Sequence, residues 1–538
     1  MSLPLASPLT VGDLLDARAK TRGDHPFLIC DAQTLSYAET SERSAALARG
    51  MIASGLGHGS RVGLLHPNGP EFVVAALATA RIGAVAVPLS TFSTASELRT
   101  LLRNADVEMV LAASGYRRHD YLEILSEAVP ELDLRSSAPL LSPSVPTLRR
   151  VAYDSPPHAV DPSWTVQSVQ NAGQRISIEV LRATQEQVTP ADRLVIVHTS
   201  GSTAEPKGVI HTHGSLLSHL NILNVMRRYH KEEILFCNSP FFWIGGYAYA
   251  LLGTLEAGGT LVCSNAPEAS DVLEVIERTR PTMVNGFAQS VAHLPADPSF
   301  TRRDLSSIRR GNLYPIMTGD ARPADPELLH NMLGMTETGS VCLASDDESV
   351  QPEHRRGSFG RPVSDIEAKV IDPESGAEIG LREVGELCLR GPALMEGYCG
   401  RERHETFDRD GWYHSGDLFL VDAEGFFYFK GRYGEMIKTS GANVSPREVE
   451  AAIVDETGFL AHVFGLDDPA SGQLVAAVLR VPASATPPNI EQVVSNLRAR
   501  LSAYKVPKRI VIMDEKDVPM MSSGKLDLRA LKERLSEH

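Results

Sequence analysis

The chain has 538 residues, 43% of them hydrophobic and 22% charged, and its 52 Lys and Arg against 67 Asp and Glu leave a formal net charge of −15. That length exceeds one ordinary hydrophobic core and predicts two or more domains, in a composition typical of soluble globular proteins. An acidic chain with no basic tract argues against sequence-independent nucleic-acid binding, and six scattered cysteines (Cys30, Cys237, Cys263, Cys342, Cys388, Cys399) with no CxxC or ligand-type spacing argue against disulfides or a structural zinc.

Met1 to Lys20 carries acidic residues and no apolar core, so no secretory signal is expected and a cytoplasmic location is the default. Up to about residue 130 helical and strand-like runs alternate, which predicts a layered α/β body. Arg61 to His66 and Val107 to Ala112 read as buried strands. Thr94-Ala-Ser-Glu97 is a capping box ahead of Leu98, Leu101 and Leu102, a helical spacing. Residues 135–190, rich in Ser, Pro and Thr, read as a long irregular connection.

A β-prone run, Leu194 to His198, then feeds Thr199-Ser200-Gly201-Ser202-Thr203-Ala204-Glu205-Pro206-Lys207-Gly208, and a second runs from Val209 to Thr212. Small residues leave backbone N–H groups accessible, hydroxyls add donors and Lys207 adds a cation, which together can hold a polyphosphate. The lysine precedes its glycine and the flanks read strand-loop-strand, so this is not a Walker loop. A plain Ser/Thr/Gly surface loop is the alternative. Ser215 to Arg228 follows as a helix with Leu216, Leu217, Leu220 and Leu223 on one face. Ile234 to Leu255 has no charged residue and is long enough to span a bilayer. Asn238-Ser239-Pro240 and its glycines instead predict a buried strand, a turn and a core helix, with no membrane span.

Gly334-Met-Thr-Glu-Thr338 sets a hydroxyl beside a carboxylate, a pair suited to a phosphate and its divalent cation, or to an ordinary helix start. Strand patterns such as Glu386 to Arg390 and Gly425 to Phe429 predict a β-rich subdomain between about 365 and 430. Tyr413-His-Ser-Gly-Asp417 ends in an acid that could accept two ribose hydroxyls or simply close a turn. Gly431-Arg432-Tyr433-Gly434 reads as a hinge, with Arg432 a plain surface arginine on the bland reading. Beyond it, Ser445-Pro446-Arg447-Glu448 starts a helix running through Ile453. Strands at His462–Gly465 and Leu474–Leu479 and a helix near 491–502 complete an α+β module of roughly 100 residues. From Arg432 onward Lys and Arg balance Asp and Glu, so the net charge sits on residues 1–431 and the two parts differ in their expected partners. Near the C-terminus Ser522-Ser-Gly-Lys525 places a lysine on a turn.

Together and in this order, these segments resemble the adenylate-forming superfamily of acyl- and aryl-CoA synthetases, luciferases and nonribosomal adenylation domains. The resemblance covers nearly the whole chain, from Asn68-Gly-Pro-Glu71 and Gly83-Ala-Val-Ala-Val-Pro88 to Lys525. It implies an N-terminal AMP-binding domain over 1–431, with layered α/β subdomains and a β-rich subdomain. A small mobile α+β lid over 432–538 is implied too, with the active site between them. Around the ATP phosphates it places Thr199, Ser200, Gly201, Ser202, Thr203 and Lys207. Thr336 would contact the α-phosphate, Glu337 would hold Mg2+, and Asp417 and Arg432 would bind the ribose hydroxyls. Lys525 would bridge the substrate carboxylate and the α-phosphate during adenylation. Lys438 is implied among the cofactor-binding residues, and Gly441 beside the CoA pantetheine once the lid rotates. Phe241, Phe242, Trp243, Gly245, Gly246 and Tyr247 would line the acid pocket, unless they are ordinary core.

Four departures stand out. Ala204 replaces the usual glycine of the phosphate loop, Gly434 replaces the usual hinge Asp or Lys, and Trp243 stands where many relatives carry histidine. Gly319 and Gly334 are only fifteen positions apart, which shortens the region expected to contact adenine. The segment Glu435 to Glu450 looks most like that of fatty acyl-, aryl- and steroid-CoA synthetases. The chain ends eleven residues after Asp527 with Ser-Glu-His, so neither a carrier domain nor a peroxisomal address is expected. The expectation is an ATP-dependent carboxylic acid–CoA ligase for an apolar fatty, aromatic or steroid-type acid, using ATP, Mg2+ and CoA and releasing AMP and pyrophosphate. Two alternatives stay open: loading of a free-standing acyl carrier protein, and a catalytically silent acyl- or nucleotide-binding homologue. Arg498, Arg500, Lys505, Lys508 and Arg509 could serve CoA phosphates, an acidic carrier or only a solvated helix face.

Overall fold

Strands Arg61–Leu65, Val85–Pro88, Met109–Ala112 and Arg150–Tyr153 run parallel at the heart of a seven-stranded sheet. Their apolar runs are buried almost throughout, as parallel strands covered on both faces must be. The order is Gly397–Tyr398, Lys207–Thr212, Arg193–Thr199, Val85–Pro88, Arg61–Leu65, Met109–Ala112, Arg150–Tyr153. Lys207–Thr212 is antiparallel to both its neighbours, so this edge of the sheet is built from hairpin-type pairing. The computed structural model describes residues 10–536 except 158, 200–205, 434–436, 440–441, 445, 469–471, 502–504 and 522–525.

A second sheet of six strands has the order Arg310–Gly311, Met283–Asn285, Ile234–Cys237, Thr260–Cys263, Pro26–Cys30, Gln33–Ser36, parallel except for its last pair. Leu217, Leu220, Phe72, Phe241 and Tyr247 share one core with residues of both sheets. The helix His213–Met226 starts at a Thr212 capping box and buries all four predicted leucines. Thr94 and Glu97 form the expected reciprocal cap of Ala95–Asn104. Ile234 to Leu255 becomes the strand Ile234–Cys237, a turn and a π-helix, Gly245–Leu252, that runs on as Gly253–Ala257. Among the described residues no helix is long and apolar enough to cross a membrane.

Residues 135–190 are not an irregular connection. They supply the edge strand Arg150–Tyr153 and the helices Val166–Gly173 and Ile178–Gln185. The hydroxyls that suggested loop are helix caps: Thr165 accepts from the Ser168 amide and Ser177 from that of Val180. Val166–Gly173 lies so close to Tyr37–Ala53 that a Cβ on Gly50 would stand 2.4 Å from the Val169 carbonyl oxygen.

The described residues fall into two compact units, one drawn from Met1–Arg356, Pro362–Glu367 and Arg390–Phe407, the other from Gly357–Arg361, Ala368–Leu389 and Asp408–His538. The predicted β-rich subdomain is the four-stranded sheet Glu367–Ile371, Val384–Arg390, Tyr413–Val421, Phe427–Arg432, whose last three strands pair antiparallel. The C-terminal module is a five-stranded sheet centred on Gly472–Arg480, which pairs antiparallel with Ala461–Asp468 and parallel with Arg509–Met513. Alternate residues of Gly472–Arg480 face two cores: Val475 and Leu479 meet Val449, Ile453 and Leu497, while Ala476 and Val478 meet Leu531 and Leu535.

Candidate active site

Antiparallel pairing sets Thr199 opposite Lys207, so the two strands that flank the hydroxyl-rich segment in sequence lie side by side. Ser200, Gly201, Ser202 and Thr203 lie outside the described residues; of the predicted phosphate ligands in this segment, Thr199 and Lys207 are described. The Lys207 ammonium stands 5.2 Å from the centroid of the Tyr398 ring. Tyr398 reaches it because Gly397–Tyr398 pairs with Val209 and Ile210. Its hydroxyl donates to Glu337 Oε1 at 2.8 Å. Lys207 and Glu337 are thus joined through one tyrosine.

Thr336–Thr338 form a single 3-10 turn closed by Gly339 at φ +69°. Glycine is required there twice over, since a Cβ would also come 2.6 Å from Leu216 Cδ2. The segment around Tyr398 holds this turn from outside. The Met395 amide donates to the Glu337 carbonyl and the Cys399 amide to that of Gly208, both at 2.8 Å. On the inner side the Thr336 carbonyl accepts from the Gly339 amide at 3.0 Å and from His211 Nε2 at 2.6 Å. Burial pushes the His211 imidazole down to about 4, so it is neutral and donates through Nε2, the only role a carbonyl partner allows. Among the described residues Lys207 has no carboxylate partner, and Glu337 Oε2 has no hydrogen bond. A carboxylate held by one oxygen and open at the other fits a hard divalent cation such as Mg2+.

In the second unit, Asp417 and Arg432 face each other across the ladder between Tyr413–Val421 and Phe427–Arg432. Arg432 Nε lies 3.0 Å from Asp417 Oδ1, and its guanidinium also donates to the Ser415 carbonyl at 3.2 Å. Gly416, at φ +71°, makes the turn, and Ser415 Oγ accepts from the Asp417 amide at 3.0 Å. A carboxylate and a guanidinium held side by side suit a neutral diol, which both accepts and donates. Gly441 and Lys525 lie outside the described residues; of Lys438 the backbone alone is described, paired with Asn443 in the strand Ile437–Thr439.

Phe92, Phe242, Trp243 and Phe287 form an edge-to-face ladder with centroids 5.7, 5.4 and 5.2 Å apart. Phe242 is buried and Trp243 half-buried. A Cβ on Gly245 would meet nothing nearer than Ser239 Oγ at 3.8 Å, so space is open beside it. A Cβ on Gly246 would come 2.1 Å from the Pro240 carbonyl oxygen, so this glycine admits backbone to backbone. Phe241 and Tyr247 are fully buried and pack on Phe72. Between Gly319 and the strand Leu333–Met335 the short segment holds two isolated 3-10 turns, Gly319–Ala321 and Pro326–Leu328.

The family model described as AMP-binding enzyme matches residues 15–399. The chain belongs to the AMP-binding enzyme family. The model of that family's C-terminal domain matches residues 448–525 of this AMP-binding enzyme. It is similar to the mitochondrial medium-chain acyl-CoA ligase ACSF2 of Mus musculus, 28% identical over 98% of this chain and 88% of that protein. It is 31% identical to the feruloyl-CoA synthase of an Amycolatopsis species, over 91% of this chain and 92% of that one. The crystal structure of the anthranilate CoA ligase AuaEII with anthranoyl-AMP shares the fold, with a TM-score of 0.78 over 98% of each chain at 22% identity.

Two residues of the Lys207–Glu337 corner, Tyr398 and His211, carry no sequence motif. Tyr398 is one aromatic after a glycine, and His211 one of two histidines flanking Thr212; cross-strand pairing alone reveals either.

Proposed function

We propose that this AMP-forming acid–CoA ligase activates an apolar fatty, aromatic or steroid-type acid as its acyl-adenylate and passes the acyl group to the CoA thiol. The observation that carries this reading is the Lys207–Tyr398–Glu337 corner, in which one tyrosine sets a cation over its ring and holds a carboxylate by one oxygen, with no carboxylate partner for Lys207 among the described residues. Attack of a carboxylate on the α-phosphorus brings two anions together, so the protein must supply positive charge and alignment; no protein nucleophile is needed. Thr199, Lys207 and the loop 200–203 hold the phosphates of ATP, and Thr336 meets the α-phosphate. Glu337 is the ligand for Mg2+, which when bound neutralises phosphate charge. Asp417 and Arg432 hold the ribose, and Lys525 draws the carboxylate and α-phosphate oxygens together. The adenylate is a mixed anhydride that a thiol opens, releasing AMP. For that half-reaction we assign Lys438 and Gly441 to the CoA side, in a lid spanning 432–538.

An apolar acid follows from the walls available: Phe242 and Trp243 present rings, and Gly245 leaves room beside them. The test is mass spectrometry of products formed from ATP, Mg2+, CoA and a mixed panel of fatty, aromatic and sterol-derived acids. A CoA thioester with matching AMP release supports the reading and names the acid class. Adenylate without thioester points to a carrier-protein acceptor. No product from any acid, with nucleotide still bound, favours a silent binder.

A further inference from the structure

We propose that Glu386, Cys388 and His414 form a binding site for a zinc-type divalent cation, separate from the Mg2+ ligand Glu337. Linear spacing conceals it, because His414 lies 26 residues beyond Cys388 in the chain. The fold removes that distance. Val384–Arg390 and Tyr413–Val421 pair antiparallel with Cys388 directly opposite His414, and Glu386, two residues before Cys388 on the same strand, shares its face. Among the described residues this is the place where three side chains of the types His, Cys, Asp and Glu converge with their donor atoms within 4.8 Å of one another.

The S–N spacing matches a tetrahedral ion, and the N–O spacing is tighter by about 0.3 Å. With bonds near 2.3 Å to sulfur and 2.0–2.1 Å to nitrogen and oxygen, such an ion holds S and N about 3.6 Å apart and N and O about 3.3 Å apart. Cys388 Sγ lies 3.6 Å from His414 Nδ1, and Glu386 Oε2 lies 3.0 Å from the same nitrogen. Nδ1 can carry one hydrogen, so it cannot give both neighbours a full hydrogen bond. A cation between the three satisfies all of them at once, the thiol proton leaving to solvent as sulfur binds.

The surroundings are those of a supported site. Asp408 Oδ2 lies 3.6 Å from the other ring nitrogen of His414, Nε2, at ion-pair rather than hydrogen-bond distance, where an outer carboxylate can orient a metal-bound imidazole. Asp408 is itself held by the amides of Asp410 and Trp412 at 2.9 and 2.8 Å. The second oxygen of Glu386 accepts from the Gly416 amide at 2.9 Å. Glu386 and Cys388 are buried while His414 keeps 42% of its side chain exposed, which leaves an entry path and a fourth position for water. A sulfur, nitrogen and oxygen donor set selects zinc over magnesium. Bound there, the ion ties the strand Val384–Arg390 to the turn that carries Asp417.

Co2+ serves as a visible stand-in for Zn2+ on the full chain stripped of metal with a chelator. One equivalent of Co2+ should give a thiolate-to-metal charge-transfer band, and Zn2+ should displace it. Cys388→Ser should abolish the band, and His414→Gln should weaken Zn2+ uptake at least tenfold, measured against a chromophoric chelator. Asp408→Asn should weaken it about tenfold, the scale of losing an outer-shell partner. Circular dichroism confirms that each variant is folded. No stoichiometric uptake by the wild-type chain overturns the site, as does a band or affinity that persists in both Cys388→Ser and His414→Gln.

Discussion

The two charged regions assigned to ATP are built on opposite plans. In the first unit Lys207 stands over a neutral ring and Glu337 is held by a neutral hydroxyl, so among the described residues neither charge is compensated. In the second unit Asp417 and Arg432 neutralise each other at 3.0 Å. Charge left uncompensated suits phosphates and their cation, whereas an ion pair presents an oriented acceptor and donor to uncharged hydroxyls. On the proposed reading, the way a charged residue is partnered separates a phosphate subsite from a ribose subsite more sharply than its identity does.

The largest effect should come from the lysine proposed to act on the reacting atoms themselves. Lys525→Ala should cut adenylation roughly 10²–10³-fold, the scale of losing one transition-state charge donor. Thioester formation from supplied acyl-adenylate should be spared; equal loss in both half-reactions would refute the role. Glu337→Gln preserves an acceptor for the Tyr398 hydroxyl but removes the charge. It should lower adenylation about 10²-fold and raise the Mg2+ concentration for half-maximal rate. An unchanged Mg2+ dependence would move the cation off this residue.

The ribose pair should respond differently. Asp417→Asn should raise the KM for ATP about tenfold with kcat little changed, as expected for a lost charged hydrogen bond of about 1.5 kcal/mol. The variant should also lose most of the wild-type preference for ATP over 2′-deoxy-ATP. The comparison breaks if Asp417→Asn instead changes the salt dependence of ATP binding, an effect reserved here for Lys207→Gln.

Much of the first region was legible in the sequence because its residues cluster: hydroxyls, glycine and Lys207 in one loop, Thr336 and Glu337 side by side. The cap at Thr94 and the leucine face of His213–Met226 were legible for the same reason, since each lies within a few turns of one helix, whereas the Thr212 cap was not read. Contacts made across strands were not. Tyr398 reaches Glu337 through an edge strand 61 residues away, and Arg432 meets Asp417 through a ladder that no local pattern announces. The cluster Glu386, Cys388 and His414 escaped for that reason. Residues 135–190 were misread in the other direction: Thr165 and Ser177 have loop chemistry because they end loops and begin helices.

The smallest effect concerns stability. Burial pushes the imidazoles of His211 and His213 down to about 4 from an ordinary 6.5. Both are neutral when folded and take up protons more readily when unfolded. Stability is therefore full above about pH 6.5 and is lost as pH falls toward 4, by about 1 kcal/mol per histidine at pH 5.5. Melting temperatures between pH 7 and 5 should fall, with a shallower slope in His211→Asn. A flat profile in the wild-type chain would contradict the neutral, buried assignment that holds the Thr336 carbonyl.

The central claim is that a carboxylic acid attacks ATP to give an adenylate before any thiol takes part. Exchange of labelled pyrophosphate into ATP, measured with Mg2+ and an acid that yields thioester, tests it most directly. The account predicts exchange that requires the acid and proceeds without CoA. Exchange that appears only when CoA is added, or none at all with an accepted acid, would contradict it.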